Sequence, residues 1–377
     1  MREVYKNFDQ FRQELLDGNI SGITDAKKRN LYKNMWGQDC TFEPGIDVEI
    51  EQSRYHGRRS VNSYSFNGNY DSDENGKLLA DIFGLDDKRQ FEDKYEEAVN
   101  GSGQEGRGSK NDTAKILAMH SSSLCALLHF YNIENNNLTI ENMPCGAVTF
   151  TESLYEYQSP VTDQGGPSNM DVVLLGKTSN GKPAVLFLES KFAEYYLYAG
   201  SIRVRSEYKK TEFARDFYRK DGPLTTGNIG LDVGDDVTVR DKRTGREHEE
   251  FSLKSKNSAF YVEGIKQMIS HYTGIMNLTT GRKAYLYTDE QKYHIVQEYI
   301  GNEARVYLGE IIFRFDFDDA GKAFDAYRRA YKDLAAEMNR MSVGKATVLP
   351  DLLDYRAVFA GYKLDSKIRD FYYHDCI

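Results

Sequence analysis

The chain of 377 residues predicts a mixed α/β fold, and three observations carry that expectation. Two short, continuously apolar runs, VVLL at 172–175 and AVLFL at 184–188, flank the turn KTSNGKP. Runs of that length and composition suit strands covered on both faces. Residues 260–276 set Tyr261, Ile265, Met268, Ile269, Tyr272 and Met276 along one side of a helix. The element order along the second half, helix, strands, helix, further strands and helix, then gives a central sheet flanked by helices.

Each element has its own signal. Residues 6–16 and 90–99 carry helical patterns in an N-terminal accessory region, with a polar Asn/Gly/Ser/Asp stretch at 58–76 between them. The segment NGSGQEGRGSKND, 100–112, is a loop by composition and marks a boundary, giving an accessory region 1–108 and a main domain 109–377. Its Gly101, Gly103 and Gly106 spell G-x-G-x-x-G. A dinucleotide site needs a strand just before those glycines, and a charged helical segment stands there instead, so the reading is a linker. Asp112 suits the N-cap of a helix to residue 131, with Ile116, Leu117, Leu124, Leu127 and Leu128 as its stripe. Residues 147–157 alternate as a strand. Residues 195–258 read as a polar insertion, near 200–258, holding one helix at 211–220. The tail offers strands at KAYLYT, YHIVQEYI and EIIFRFDF and a helix at 321–338.

Composition excludes several classes. The 40% hydrophobic fraction fills a core, and no stretch approaches the roughly 20 apolar residues of a membrane span. The N-terminus MREVYKNFDQF lacks an apolar leader core, so a cytoplasmic protein with no membrane partner is expected. Cys40, Cys125, Cys145 and Cys376 form no Cys-x-x-Cys pair, and the seven histidines show no H-x-x-x-H spacing; reduced thiols and no zinc centre are expected. Net charge is -9, yet residues 203–246 hold 11 basic against eight acidic side chains. Phosphate affinity depends on such local clusters, although a solvated loop explains this one equally well.

The chemistry concentrates in NMDVVLLGKTSNGKPAVLFLESKFAE, residues 169–194. Asp171 opens one apolar strand, and Glu189-Ser190-Lys191 closes the next. Carboxylates at the mouth of an apolar hairpin are costly to desolvate and repel each other, and a hard divalent cation relieves both penalties. Lys191, two residues after Glu189, shares its face. There it could orient a water or stabilise charge on a phosphorus-centred transition state. A two-residue turn at Asn180-Gly181 would pair Asp171 with Ser190 and turn Asp171 to the other face, so an odd-numbered loop or a bulge is expected.

This arrangement resembles the active-site motif of the PD-(D/E)xK nuclease superfamily, with an aspartate on one strand and Glu/Asp-x-Lys on its neighbour. The resemblance covers about 146–276, and Met170 stands where the motif's proline would be. It implies a restriction-endonuclease-like mixed sheet flanked by helices and a Mg²⁺-dependent (or Mn²⁺-dependent) phosphodiester hydrolase acting on DNA. It also leaves room for a homodimer. Asp171 and Glu189 would bind metal with the Ser190 carbonyl as a further ligand, and Lys191 would be the catalytic lysine. Glu156 is the candidate for the upstream acidic residue many members add, with Glu152 behind it. Gln267 is the candidate for the glutamine that RecB-like members carry on the following helix, in a stripe with Gly264, His271 and Gly274 whose glycines would permit close approach to the sheet.

Bland readings stand beside these. Asp171, Glu189 and Lys191 could be strand-end charges with an ordinary surface pair, Glu156 a solvent-facing strand residue and Gln267 a helix-surface amide. Glu194 is a candidate second-sphere carboxylate. His120 with Ser121, Ser122 and Ser123 reads first as helix packing, and Tyr195, Tyr196 and Tyr198 first as core-edge aromatics rather than base-stacking groups. The rival function is a non-catalytic nucleic-acid-binding or assembly module that keeps the fold. A hydrolase with an unrelated metal site predicts that the three side chains do not converge.

Overall fold

The computed structural model describes residues 4–374, apart from 6, 19–22, 24, 38, 55–61, 69–71, 100–113, 163–166, 242–244, 257–258, 282–289 and 343. In chain order the first elements are β1 (Val4–Tyr5), α1 (Phe8–Asp17), α2 (Ala26–Trp36), β2 (Ile50–Arg54), β3 (Asn62–Phe66), α3 (Ser72–Ile82), α4 (Lys88–Val99) and α5 (Ser122–Phe130). Next come β4 (Leu138–Ile140), β5 (Val148–Ser159), β6 (Ser168–Thr178), β7 (Pro183–Lys191), α6 (Glu194–Leu197), β8 (Ile202–Arg205), α7 (Pro223–Thr226), β9 (Leu231–Val233), β10 (Val237–Arg240) and β11 (Glu247–Ser255). The chain closes with α8 (Val262–Thr279), α9 (Glu290–Gly301), β12 (Arg305–Ile312), α10 (Asp318–Met341), β13 (Thr347–Val348), β14 (Leu353–Asp354), α11 (Tyr355–Val358) and α12 (Ser366–Tyr372).

Two compact units result: Met1–Leu138 with Phe150–Glu156 and Tyr355–Ile377, and Thr139–Thr149 with Tyr157–Asp354. This division departs from the expected boundary at 108/109. The helix α5 packs with α4, and α12 packs with α2, so both belong with the N-terminal elements. The core of that unit is aromatic. Phe371 of α12 lies 5.2 Å from Trp36, 4.9 Å from Phe42 and 5.3 Å from Phe83, ring centre to ring centre. The polar stretch 58–76 contains β3 and the start of α3. The helix expected over 112–131 is shorter: a 3₁₀ turn at Lys115–Leu117 precedes α5, whose N-cap is Ser121, accepting from the Leu124 N–H at 3.2 Å. The proposed cap Asp112 and the glycines Gly101, Gly103 and Gly106 lie outside the described residues.

The main-sheet strands that lie wholly in the second unit run in the order β13-β12-β7-β6, with β14 also on β12, and form a mixed sheet. The strands β6 and β7 are antiparallel, whereas β12 runs parallel to β7. Parallel neighbours need a long crossover, and this one carries α8. Val172–Leu175 and Ala184–Leu188 are wholly buried, as continuous apolar strands should be. The α8 side with Ile265, Met268, Ile269, Tyr272 and Met276 is buried as its periodicity predicts. Its other stripe sits close to its neighbours: a Cβ on Gly274 would fall 2.1 Å from Ser159 Oγ, and one on Gly264 would fall 2.2 Å from the Tyr327 hydroxyl.

The insertion contains a four-stranded sheet, β10-β11-β8 with β9 on β11, that composition did not reveal. Residues 211–220 form successive turns rather than the expected helix, burying Ala214, Phe217 and Tyr218. YHIVQEYI is helical, within α9, and not a strand; it buries Tyr293 and Val296, which are spaced as on a helix. KAYLYT falls outside the described residues. No helix among the described residues is long and apolar enough to cross a membrane.

Candidate functional site

The site begins with a loop. Thr178 and Lys182 close the β6–β7 hairpin, and three residues, 179–181, lie between them. Gly181 takes φ +80, the left-handed conformation that ends such three-residue loops and that glycine adopts without steric cost. The odd count sets the register. The ladder ends at the pair Val172 and Leu188, and one further step of the same register sets Asp171 opposite Glu189. Side chains directly opposite on antiparallel strands share a face, and strand alternation adds Lys191. The expected displacement from a two-residue turn is therefore present.

Around Glu189 the polar groups close on each other. Its carboxylate, 3% exposed, accepts the Lys191 ammonium on Oε1 and the His271 Nε2–H on Oε2 at 2.8 Å. His271 Nδ1 in turn meets Ser168 Oγ at 2.7 Å, which fixes the ring's orientation from β6. Asp171, half-buried, accepts the Ser190 backbone N–H on Oδ2 at 2.7 Å. Burial works against the charge on Lys191, but Glu189 first, then Tyr261, Asp171 and Glu194, holds its amine protonated well above the ordinary range. Burial likewise opposes the charge on Glu189, and Lys191 and His271 overcome it, keeping the carboxyl below the usual range.

The other predicted residues spread out. The Glu194 carboxylate accepts the N–H groups of Phe192 at 2.8 Å and Ala193 at 3.0 Å, so it ties down the turn after β7 as well as acting on Lys191 through space. Gln267 accepts the Tyr261 hydroxyl at 3.3 Å; the α8 side chain that reaches Glu189 is His271, one turn further on. Glu156 and Glu152 lie in Phe150–Glu156, which belongs to the first unit, and Glu156 adopts φ +49. His120 and Ser121 precede α5 and do not sit on a helix: His120 bonds the Tyr32 hydroxyl at 2.8 Å and Ser121 caps α5. Tyr195 donates to the Phe313 carbonyl and Tyr196 is buried, whereas Tyr198 is exposed. The basic excess of the insertion is partly met internally by Lys209–Asp236, Arg219–Asp221 and Lys220–Asp235 pairs. Among the described residues Cys40, Cys125 and Cys145 form no disulfide bond.

One acidic residue escaped the sequence reading. Glu310 of β12 is the register partner of Glu189 on the parallel neighbour, and it is wholly buried. Its Oε2 accepts the Tyr327 hydroxyl at 2.7 Å, while Oε1 has no hydrogen-bond partner among the described residues. Burial pushes its carboxyl up to about 8 against the pull of Lys191 and of that hydroxyl. The available signal was a glutamate inside the otherwise apolar run YLGEIIF.

Hard carboxylate oxygens from Asp171, Glu189 and Glu310 suit Mg²⁺ or Mn²⁺ in chemistry. In arrangement they are closed: among the described residues no three His, Cys, Asp or Glu side chains gather closely enough to hold a metal ion. A cation would require Glu189 to part from Lys191. Comparison with protein families, curated proteins and solved structures finds no match to this chain.

Proposed function

We propose that this chain is a metal-dependent phosphodiesterase acting on DNA, of the PD-(D/E)xK, restriction-endonuclease-like type. The observation that supports the reading is the register of the β6–β7 hairpin, whose three-residue loop pairs Val172 with Leu188; continued one step, it brings Asp171 to the side of Glu189 and Lys191. Further support comes from the helix α8 and the parallel strand β12 that follow the hairpin, as that fold requires.

In this reading Asp171 and Glu189 hold the cation, which supplies Lewis acidity and lowers the pKa of a bound water. His271, anchored by Ser168, keeps the Glu189 carboxylate oriented after Lys191 leaves it. Lys191, held charged by its acidic neighbours, presents a fixed positive group to the phosphate, worth most in a dry site. Glu194 holds the chain direction just beyond the lysine.

The decisive measurement is cleavage of plasmid and linear DNA with Mg²⁺ or Mn²⁺. Cleavage should fall by at least about a hundredfold in Lys191→Ala, the scale of losing one charge-stabilising donor. Absence of cleavage by the intact protein under all these conditions rejects the catalytic reading. The alternative, a nucleic-acid-binding or assembly module, is favoured by one observation: the ion-paired closure of Glu189 with Lys191 and His271. It predicts no Mn²⁺ binding that depends on Asp171 in a calorimetric titration.

A further inference from the structure

The Glu189–Lys191 pair raises a question that the function above does not answer. If a cation takes Glu189, the ammonium of Lys191 loses its partner on a face where it is only 4% exposed. An unpaired buried charge is among the costliest arrangements in a protein, so the lysine must find another acceptor or oppose metal entry. The neighbouring parallel strand offers one. Glu310 is aligned with Glu189, lies on the same face, feels the charge of Lys191 and has one carboxylate oxygen, Oε1, wholly buried and without a hydrogen-bond partner among the described residues. Its other oxygen is pinned by Tyr327 of α10, whose hydroxyl in turn abuts Gly264 of α8. The carboxyl is thereby fixed from the helix layer, in register with Glu189 and within electrostatic reach of Lys191.

We propose that Glu310 is a positioning residue: it receives the Lys191 ammonium when the cation takes Glu189, and so permits metal entry and aims the lysine. This inference rests on the reading of Asp171 and Glu189 as metal ligands. Tyr327 serves by holding Glu310 still, and the Glu310 carboxyl itself touches neither metal nor phosphate.

The test is a double-mutant cycle read by metal binding rather than by cleavage. Mn²⁺ is titrated calorimetrically into the full chain, Glu310→Gln, Lys191→Met and the double variant, with thermal melts to confirm folding. Glutamine matches glutamate in shape and still accepts the Tyr327 hydroxyl, and Glu310→Asp, which draws the carboxylate back by one methylene, serves as a second variant. With Lys191 present, loss of the Glu310 carboxylate should weaken Mn²⁺ binding by about tenfold; with Lys191→Met it should change by less than about twofold. Equal weakening in both backgrounds would make Glu310 a ligand or a structural support, and no weakening in either would remove its role; each result overturns the proposal while leaving the metal site standing. If Asp171→Asn binds Mn²⁺ as the intact chain does, the metal reading falls and this inference falls with it.

Discussion

At the scale of single residues, Glu310 couples stability to pH. Its ordinary carboxyl range is near 4.5, and in the fold it is raised to about 8 by burial. Between those values the native state holds a proton that the unfolded chain has released, so the unfolding free energy falls as pH rises. One such group gives a slope of about 1.4 kcal/mol per pH unit. Chemical unfolding across pH 4.5–8 should show that component in the intact chain and lose it in Glu310→Gln; identical slopes would contradict the assignment. Asp171, Glu189 and Lys191 could be found from sequence because they sit 20 residues apart or less, at the ends of two apolar runs. The roles of Glu310 and His271 could not be read there, because the contacts that give them meaning depend on a parallel strand register and on a helix rotation. His271 stood four places beyond Gln267 on the stripe already suspected, so geometry, not residue type, was what was missing.

Among elements, the close approach of α8 is the most exposed to test. Its glycines face Ser159 and the Tyr327 hydroxyl with no room for a methyl group. Gly274→Ala and Gly264→Ala should each destabilise the chain by about 1–3 kcal/mol, the usual cost of overpacking, even though alanine is the better helix former. Urea midpoints measure this, and a stabilised variant would contradict the close packing. Elements with a strong period were legible: α1, α4, β5 to β7, α8 and α10 all lie where pattern put them. Those whose period competes with composition were not. The β-branched and aromatic residues of YHIVQEYI suggest a strand, but only Tyr293 and Val296 are buried, and three-residue spacing settles the segment as helix. Short strands in the polar insertion carry too few apolar residues for periodicity to show.

For the whole molecule, the division into units was the least readable feature, since it depends on segments far apart in sequence. Phe371 lies against Trp36, Phe42 and Phe83, which come from the other end of the chain. Phe371→Ala should therefore destabilise the first unit by about 3–5 kcal/mol, as removal of a buried phenyl ring does. The single tryptophan, Trp36, makes this directly visible, because its emission should shift to the red at lower denaturant in the variant. An unmoved transition would argue against that core. The same interleaving has a consequence for inheritance. The chain leaves and re-enters each unit at 138/139, 149/150, 156/157 and 354/355. The first unit draws on both ends of the chain, so no stretch of gene shorter than the whole encodes it, and recombination cannot lift it out as a cassette.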